Sequence, residues 1–187
     1  MAKEYVARRD RWLRLHRVFR ADCGRILHVD EIDQQILAEL QVNGRVTVTE
    51  LAERVKLTAP PCHRRLRELE RSGVITGYRA VVDPAAVGLG FETLVSVVME
   101  REDANTIDAF ERALVEVPEV RHAERLFGEP DYLLRVVTPD LHSYAALRDE
   151  RLATLPGVQR LTSTIVMKRV VEERPLPVAS APRRRSP

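Results

Sequence analysis

The chain has 187 residues, 44% of them hydrophobic and 31% charged, with a formal net charge of +2. That balance excludes a wholly disordered polymer and allows one domain or two small ones, each with only a modest core of its own. Cys23 and Cys62 have no CxxC spacing and are too few for a disulfide framework, so a reducing cytoplasm is the expected compartment. No apolar run approaches the roughly 18 to 20 residues that span a bilayer, and the N-terminal stretch lacks the apolar centre of a signal peptide, so no membrane partner is expected.

Residues 1–28 form a basic N-terminal arm in which Lys3, Arg8, Arg9, Arg11, Arg14, Arg17, Arg20 and Arg25 face only Glu4, Asp10 and Asp22. The residues leave two readings open, a frayed extension or an arm that contacts DNA or another subunit. From Asp30 the pattern sharpens. Ile32, Ile36, Leu37 and Leu40 recur at helical spacing and Asn43-Gly44 supplies a stop, which predicts a first helix. Thr47 to Glu50 fits a capping box, in which hydroxyl and carboxylate satisfy free N–H groups at a helix start. Leu51, Ala52 and Val55 then give a short second helix its buried face. Thr58 stands where it can cap a third helix running to about Arg71, with Cys62, Leu66 and Leu69 inward. Pro60 and Pro61 suit the first turn, where N–H groups have no intrahelical acceptor. Val74 to Val82 predicts a small wing with Gly77 at its bend, before Asp83-Pro84 breaks the chain.

The second half predicts strand, helix, strand, strand, helix, strand. Phe91 to Glu100 is rich in β-branched and aliphatic residues, and Asp103 to Val117 places Ile107, Phe110, Ala113 and Leu114 on one side of a helix. Val120 to Phe127 and Tyr132 to Thr138 flank the turn Gly128-Glu129-Pro130-Asp131. A second helix is predicted from Leu141 to Leu155, stopped by Pro156-Gly157, and a last strand from Val158 to Val171. This βαββαβ order is the ferredoxin-like arrangement, with helices on one face of an antiparallel sheet. The other face has no further element to cover it, so pairing of subunits is expected. The fold class is therefore α+β. The chain divides into the arm at 1–28, a winged helix-turn-helix at 29–78, a linker strand at 79–90, a ferredoxin-like domain at 91–173 and a Pro/Arg-rich tail at 174–187.

A helix-turn-helix needs two short helices on a compact apolar core, so that the outer face of the second enters the major groove of duplex DNA. Here Thr58, Pro60, His63, Arg64, Arg67 and Arg71 are candidates to face the DNA. Arginine can donate two bonds to guanine, and phosphates are met by further arginines and backbone N–H groups. Arg65 lies beside the buried stripe, where its stem can pack while its head reaches the DNA backbone. The rival reading of the same residues is a three-helix module with a solvated charged face, since Glu68 and Glu70 offset part of the charge.

Ile32-Asp33-Gln34-Gln35-Ile36-Leu37, Gly44-Arg45, Glu50-Leu51-Ala52, Arg65-Leu66-Arg67-Glu68-Leu69-Glu70 and Gly73-Val74-Ile75-Thr76-Gly77-Tyr78 resemble the DNA-binding half of the Lrp/AsnC family of transcription regulators. Gly128-Glu129-Pro130-Asp131-Tyr132-Leu133-Leu134, Leu155-Pro156-Gly157-Val158 and Thr162-Ser163-Thr164-Ile165-Val166 resemble its second half, so the likeness spans about residues 29 to 173. The resemblance implies a winged helix-turn-helix joined to a ferredoxin-like effector domain. It also implies homodimers that assemble to a higher oligomer, commonly an octamer, and an amino-acid effector bound between effector domains. By family pattern Gly128, Glu129, Asp131 and Tyr132 contribute to that site, with Leu141, Thr162, Ser163, Thr164 and Ile165 lining the same region. Physically, a glycine turn exposes N–H groups to a carboxylate, and Asp131 can pair with an α-ammonium. The residues of the turn fit equally a plain β-hairpin with Asp131 as turn former. His63 and Arg64 stand at positions that vary in the family, so the operator sequence is not inherited.

Catalysis has no support in the sequence, and neither a cofactor nor a metal is expected. His16, His28, His63, His122 and His142 lie in no metal-ligand spacing, and Gly88-Leu89-Gly90 does not continue as GxGxxG. The remaining alternatives are an amino-acid-sensing module whose first domain binds another protein, and RNA binding by the sheet. The sheet lacks the aromatic pattern that stacks bases.

Overall fold

The computed structural model describes residues 29–178, so the expectations for the basic arm at 1–28 and for residues 179–187 lie outside the described residues. The chain forms two compact units. Among the described residues, one takes 29–79 together with 173–178, and the other takes Ala80–Glu172.

The first unit is built on three helices. In α1 (Glu31–Val42) the Asp30 carboxylate accepts from the Asp33 N–H at 2.9 Å, while the Asp33 carboxylate accepts from the Asp30 N–H. Two orphan donors of the first turn are thereby satisfied by local sequence alone. The predicted box at Thr47 and Glu50 opens α2 (Val48–Arg54) in the same reciprocal way. Lys56, with φ 57°, makes the left-handed turn between the second and third helices. Helix α3 (Ala59–Arg71) carries Pro60 and Pro61 in its first turn, as the sequence predicts. Thr58 occupies its N-cap, but its side chain makes no capping bond, which corrects the expectation. The reason is in the sequence. A capping hydroxyl accepts from the second or third helical N–H, and those positions are Pro60 and Pro61, which have none. Ile36, Leu51, Ala52, Val55, Cys62 and Leu69 form the buried core between the helices.

After α3 the chain does not form the predicted paired wing. Gly77 does bend it, with φ 155°, but residues 72–90 contain no strand, and a 3-10 turn at Ala85–Val87 follows Asp83-Pro84. A strand needs a ladder partner, and the described residues supply none there.

The second unit is a four-stranded antiparallel sheet of β1 (Phe91–Met99), β2 (Val120–Arg125), β3 (Tyr132–Thr138) and β4 (Val158–Ile165), in the order β2-β3-β1-β4. Its helices are α4 (Ala104–Val115), capped by Asp103, and α5 (Leu141–Leu147), capped by Asp140. The strand order is the ferredoxin-like one that the βαββαβ pattern predicts. Alternation along β1 sends Val95, Val97 and Met99 into a core with Leu134 and Val136 from β3 and with Phe110, Leu114, Tyr144, Leu147 and Leu152.

Two boundaries differ from expectation. The second helix is regular only to Leu147 and continues as a wider π turn over Arg148–Leu152, which still buries Leu152. The last strand stops at Ile165 instead of Val171, because residues beyond Val166 have no neighbour in the ladder. Gly157, with φ 73°, makes the entry to β4, where a Cβ would stand 2.2 Å from the Thr106 methyl.

Candidate functional site

Helix α3 presents its candidate DNA-facing residues as a single stripe. Pro60, His63, Arg64, Arg67 and Arg71 are all exposed, and their steps of three and four residues keep them on one side of a 3.6-residue helix. The opposite side buries Cys62 and Leu69, so the core fixes which face looks outward. Burial raises the Cys62 thiol above its ordinary value, as suits a core residue with no electropositive neighbour to ionise it. A groove of about 500 Å³ runs beside the stripe, lined by Val48, His63, Leu66, Arg67, Glu70 and Arg71.

The arginines are not equivalent. Arg67 donates through Nε to His63 Nε2 at 3.2 Å, a bond that requires that nitrogen to be unprotonated. Arg71 pairs with Glu68 at 2.7 Å on the exposed surface, which raises its pKa further. Arg64 is exposed on the same face. Arg65 stands apart from the stripe. Its Nη1 reaches Asp30 at 2.6 Å and Asp33 at 2.9 Å, and its side chain is only 24% exposed. The Asp33 N–H above all, and then Arg65, hold the Asp30 carboxyl below its usual value. The guanidinium thus ties the recognition helix to the cap of α1. That arrangement uses donors a phosphate contact would need.

Tyr78, just past the glycine bend, donates its hydroxyl to Glu70 at 3.0 Å. Burial first, and Glu70 second, push its pKa up to about 12. A Cβ on Gly44 would lie 3.4 Å from the Tyr78 ring, so the turn after α1, the end of α3 and the segment beyond it meet at this residue. The Asp30/Asp33 pair is not marked as functional by periodicity, because its partner Arg65 lies far away in sequence.

In the second unit the candidate effector residues form separate groups. Gly128, with φ 124°, and Glu129 lie in an exposed turn, and Glu129 pairs with Arg160 at 2.6 Å. The peptide between Glu129 and Pro130 is cis. Asp131 is bound inward: its N–H donates to the Val97 carbonyl at 2.9 Å and its carboxylate accepts from the Met99 N–H at 2.8 Å. Tyr132 is buried against Phe110, with ring centroids 4.6 Å apart, and its hydroxyl donates to Glu111 at 2.7 Å. Burial and then Glu111 raise its pKa well above the ordinary value.

Leu141 is 58% exposed at the start of α5. It follows the far end of β3, so it stands about 20 Å along the strand from Tyr132. On β4, Ser163 is directly hydrogen-bonded to the Tyr144 hydroxyl on the helix side. Thr162 and Thr164 pair with Ser96 and Leu94 and share the opposite face with them, while Ile165 is exposed opposite Thr93. Within one chain, therefore, Leu141 is not brought to the turn, whereas Thr162 lies across β1 from Leu133, beside Tyr132. The open sheet face also carries Glu92. Burial works against its ionisation, but Arg169 and Arg135 together outweigh burial and lower its pKa. Among the described residues no group of His, Cys, Asp or Glu is arranged to hold a metal ion, and no helix is long and apolar enough to cross a membrane.

Comparison with known proteins agrees with both halves of this description. Residues 29–76 match a winged helix-turn-helix DNA-binding family, and residues 92–176 match the Lrp/AsnC ligand binding domain. The chain is 39% identical over 145 residues to the proline dehydrogenase transcriptional activator of Rhodobacter capsulatus, covering 78% of this chain and 94% of that one. It is 36% identical over 142 residues to the leucine-responsive regulatory protein of Escherichia coli K12, covering 76% and 87%. A transcriptional regulator of Neisseria meningitidis solved in complex with L-Met superposes with a TM-score of 0.76 at 35% identity, covering 80% of this chain and 97% of that one. With a DNA-binding helix-turn-helix in one unit and a ligand-binding sheet in the other, the chain belongs to the Lrp/AsnC family of transcription regulators.

Proposed function

We propose that this regulator is a cytoplasmic protein that reads its operators through the stripe Pro60, His63, Arg64, Arg67 and Arg71, and answers to an amino acid. The observation that carries the reading is that stripe, exposed on a helix whose other side is locked into the core. Arg64 and Arg67 are the candidates for guanine edges, Arg71 and the Thr58 end of the helix for phosphates. Arg65 serves the interface by holding the helix in place.

The effector is an amino acid, in keeping with the L-Met bound to the Neisseria meningitidis regulator. Gly128, Glu129, Asp131 and Tyr132 form one side of its site. Leu141 and the Thr162, Ser163, Thr164 and Ile165 run form another. Because Leu141 lies at the opposite end of β3 from the turn, the complete site takes residues from two copies, and the functional unit is a homodimer assembled to a higher oligomer, an octamer by family pattern. The sheet face bearing Leu94, Ser96, Thr162 and Thr164, which no helix among the described residues covers, is the dimer surface.

The test is fluorescence anisotropy on the duplex upstream of the protein's own gene, with unrelated duplex as competitor. Preference for the upstream duplex is expected. Equal affinity for both defeats operator recognition. A thermal-shift screen of the twenty amino acids then identifies the effector, since a ligand that binds only the folded state raises its stability. No shift with any of them refutes the amino-acid assignment.

A further inference from the structure

Four arginines lie on α3, and the carboxylates near them decide which are free. Arg65 is held by Asp30 and Asp33. Glu68 is taken by Arg71 at 2.7 Å, and Glu70 accepts from the Tyr78 hydroxyl at 3.0 Å. Arg67 has no carboxylate partner among the described residues, although Glu70 stands one turn along the helix from it.

The bond that Arg67 does make goes to an imidazole. Its Nε donates to His63 Nε2 at 3.2 Å, across one helical turn. That bond divides the guanidinium. Nε is used within the protein, while both Nη groups, which form the end-on fork that meets guanine O6 and N7, stay without a partner among the described residues. A free arginine samples many rotamers and loses that freedom when it docks on a base. One already held at Nε has lost part of it beforehand.

The surroundings favour the bond. His63 and Arg67 are both exposed, and with Val48, Leu66, Glu70 and Arg71 they line the groove beside the stripe. Helix α2 contributes only Val48 there, so the charged groups around His63 are Arg67, Glu70 and Arg71 of its own helix, with Arg64 next to it in sequence. Because Tyr78 engages Glu70 and Glu68 engages Arg71, no carboxylate competes with the imidazole for the Arg67 Nε.

We propose that His63 is a positioning residue for base reading: its neutral Nε2 holds the Arg67 guanidinium so that the Nη fork meets a guanine edge, and protonation of the imidazole releases that fork. This rests on the operator reading above and deepens it, since discrimination between duplexes then depends on the charge of one side chain. A protonated His63 has no lone pair to offer Nε and sets a cation beside a cation one turn away. It also adds a charge that the phosphates of any duplex attract. Acidification therefore strengthens binding to unrelated duplex while it loosens base reading, and the ratio of the two affinities falls.

Fluorescence anisotropy on the upstream and unrelated duplexes, from about pH 8 to about pH 5.5, spans the range in which imidazoles change charge. The proteins compared are the full chain, His63→Ala, His63→Gln, Arg67→Ala and the double variant H63A/R67A. Glutamine keeps an acceptor oxygen near the place of Nε2 and does not titrate. At about pH 8, His63→Ala is expected to reduce the preference for the upstream duplex by roughly 3- to 10-fold, the scale of one side chain ordered in advance. His63→Gln is expected to retain the preference, and His63→Ala to add nothing once Arg67 is gone. In acid the preference of the full chain falls, while that of His63→Gln holds; His122 and His142 are common to both. An unchanged preference in His63→Ala overturns the inference. So does a loss of equal size with and without Arg67, which would mean that the imidazole reads DNA by itself, and so does a His63→Gln profile as steep as the parent's. Each of these leaves operator recognition standing. A full chain that prefers neither duplex overturns the operator reading, and this inference with it.

Discussion

Arg65 and Arg67 are two residues apart, yet they do different work, and their substitutions should separate cleanly. Arg65 is half-withdrawn between Asp30 and Asp33, so Arg65→Met should destabilise the DNA-binding unit by about 1 to 2 kcal/mol, the scale of charge-assisted bonds discounted for partial exposure. Chemical denaturation followed by circular dichroism measures it. Arg67→Ala should leave that transition unmoved and weaken operator binding by roughly 1 to 3 kcal/mol. Equal melting of both variants contradicts the division. The pH dependence follows from Asp30, whose folded pKa lies below its ordinary 3.8. A lowered carboxyl stabilises fully above the unfolded value and loses that contribution as pH falls through the folded one. Acid titration below pH 3.8 should therefore erode the parent more steeply than Arg65→Met, which has already lost the pair. Neither partner of this clamp was legible from periodicity, because the contact joins positions 35 residues apart. The failure of Thr58 as a side-chain cap was legible. Prolines at the second and third helical positions can be read directly as missing donors.

The elements themselves were largely written in local sequence. The capping box at Thr47 and Glu50 and the proline-led start of α3 follow from spacing alone, as does the β1 strand, whereas the box at Asp30 and Asp33 emerged only with the structure. What spacing could not give was any element whose existence depends on a neighbour. The wing and the linker strand lack a ladder partner among the described residues, and β4 stops where its pairing with β1 stops. The π turn at Arg148–Leu152 is likewise a tertiary outcome, since a regular helix and a widened one share the same apolar pattern. Gly157 shows how tightly the second unit is closed. Gly157→Ala puts a methyl into the Thr106 side chain at a backbone conformation that already disfavours it. It should cost more than Gly88→Ala, where φ is 79° but the space is open. A difference of about 1 to 2 kcal/mol in unfolding free energy is expected, and equal costs would mean the Thr106 side chain yields freely.

At the scale of the molecule, the candidate effector residues were named by family likeness, and the fold spreads them over the turn before β3, the edge strand β4 and the start of α5. Asp131 illustrates the limit of reading a turn from sequence: its carboxylate is already engaged by the Met99 N–H, so it organises the turn whatever else it binds. If the open sheet face is the surface between copies, Leu94→Arg should place a charge where another Leu94-bearing face packs. Light scattering after gel filtration should then show a smaller species with unchanged secondary structure. An unaltered mass would remove that face from the assembly. The clamp made by Arg65 also has a thermodynamic consequence. Helix α3 is fastened to α1 before DNA arrives, so it enters the groove as a fixed rod with no coupled folding left to do. Calorimetry should therefore give this unit a heat-capacity change set by interface burial alone, without the large ordering signature of a reading head that folds on its target.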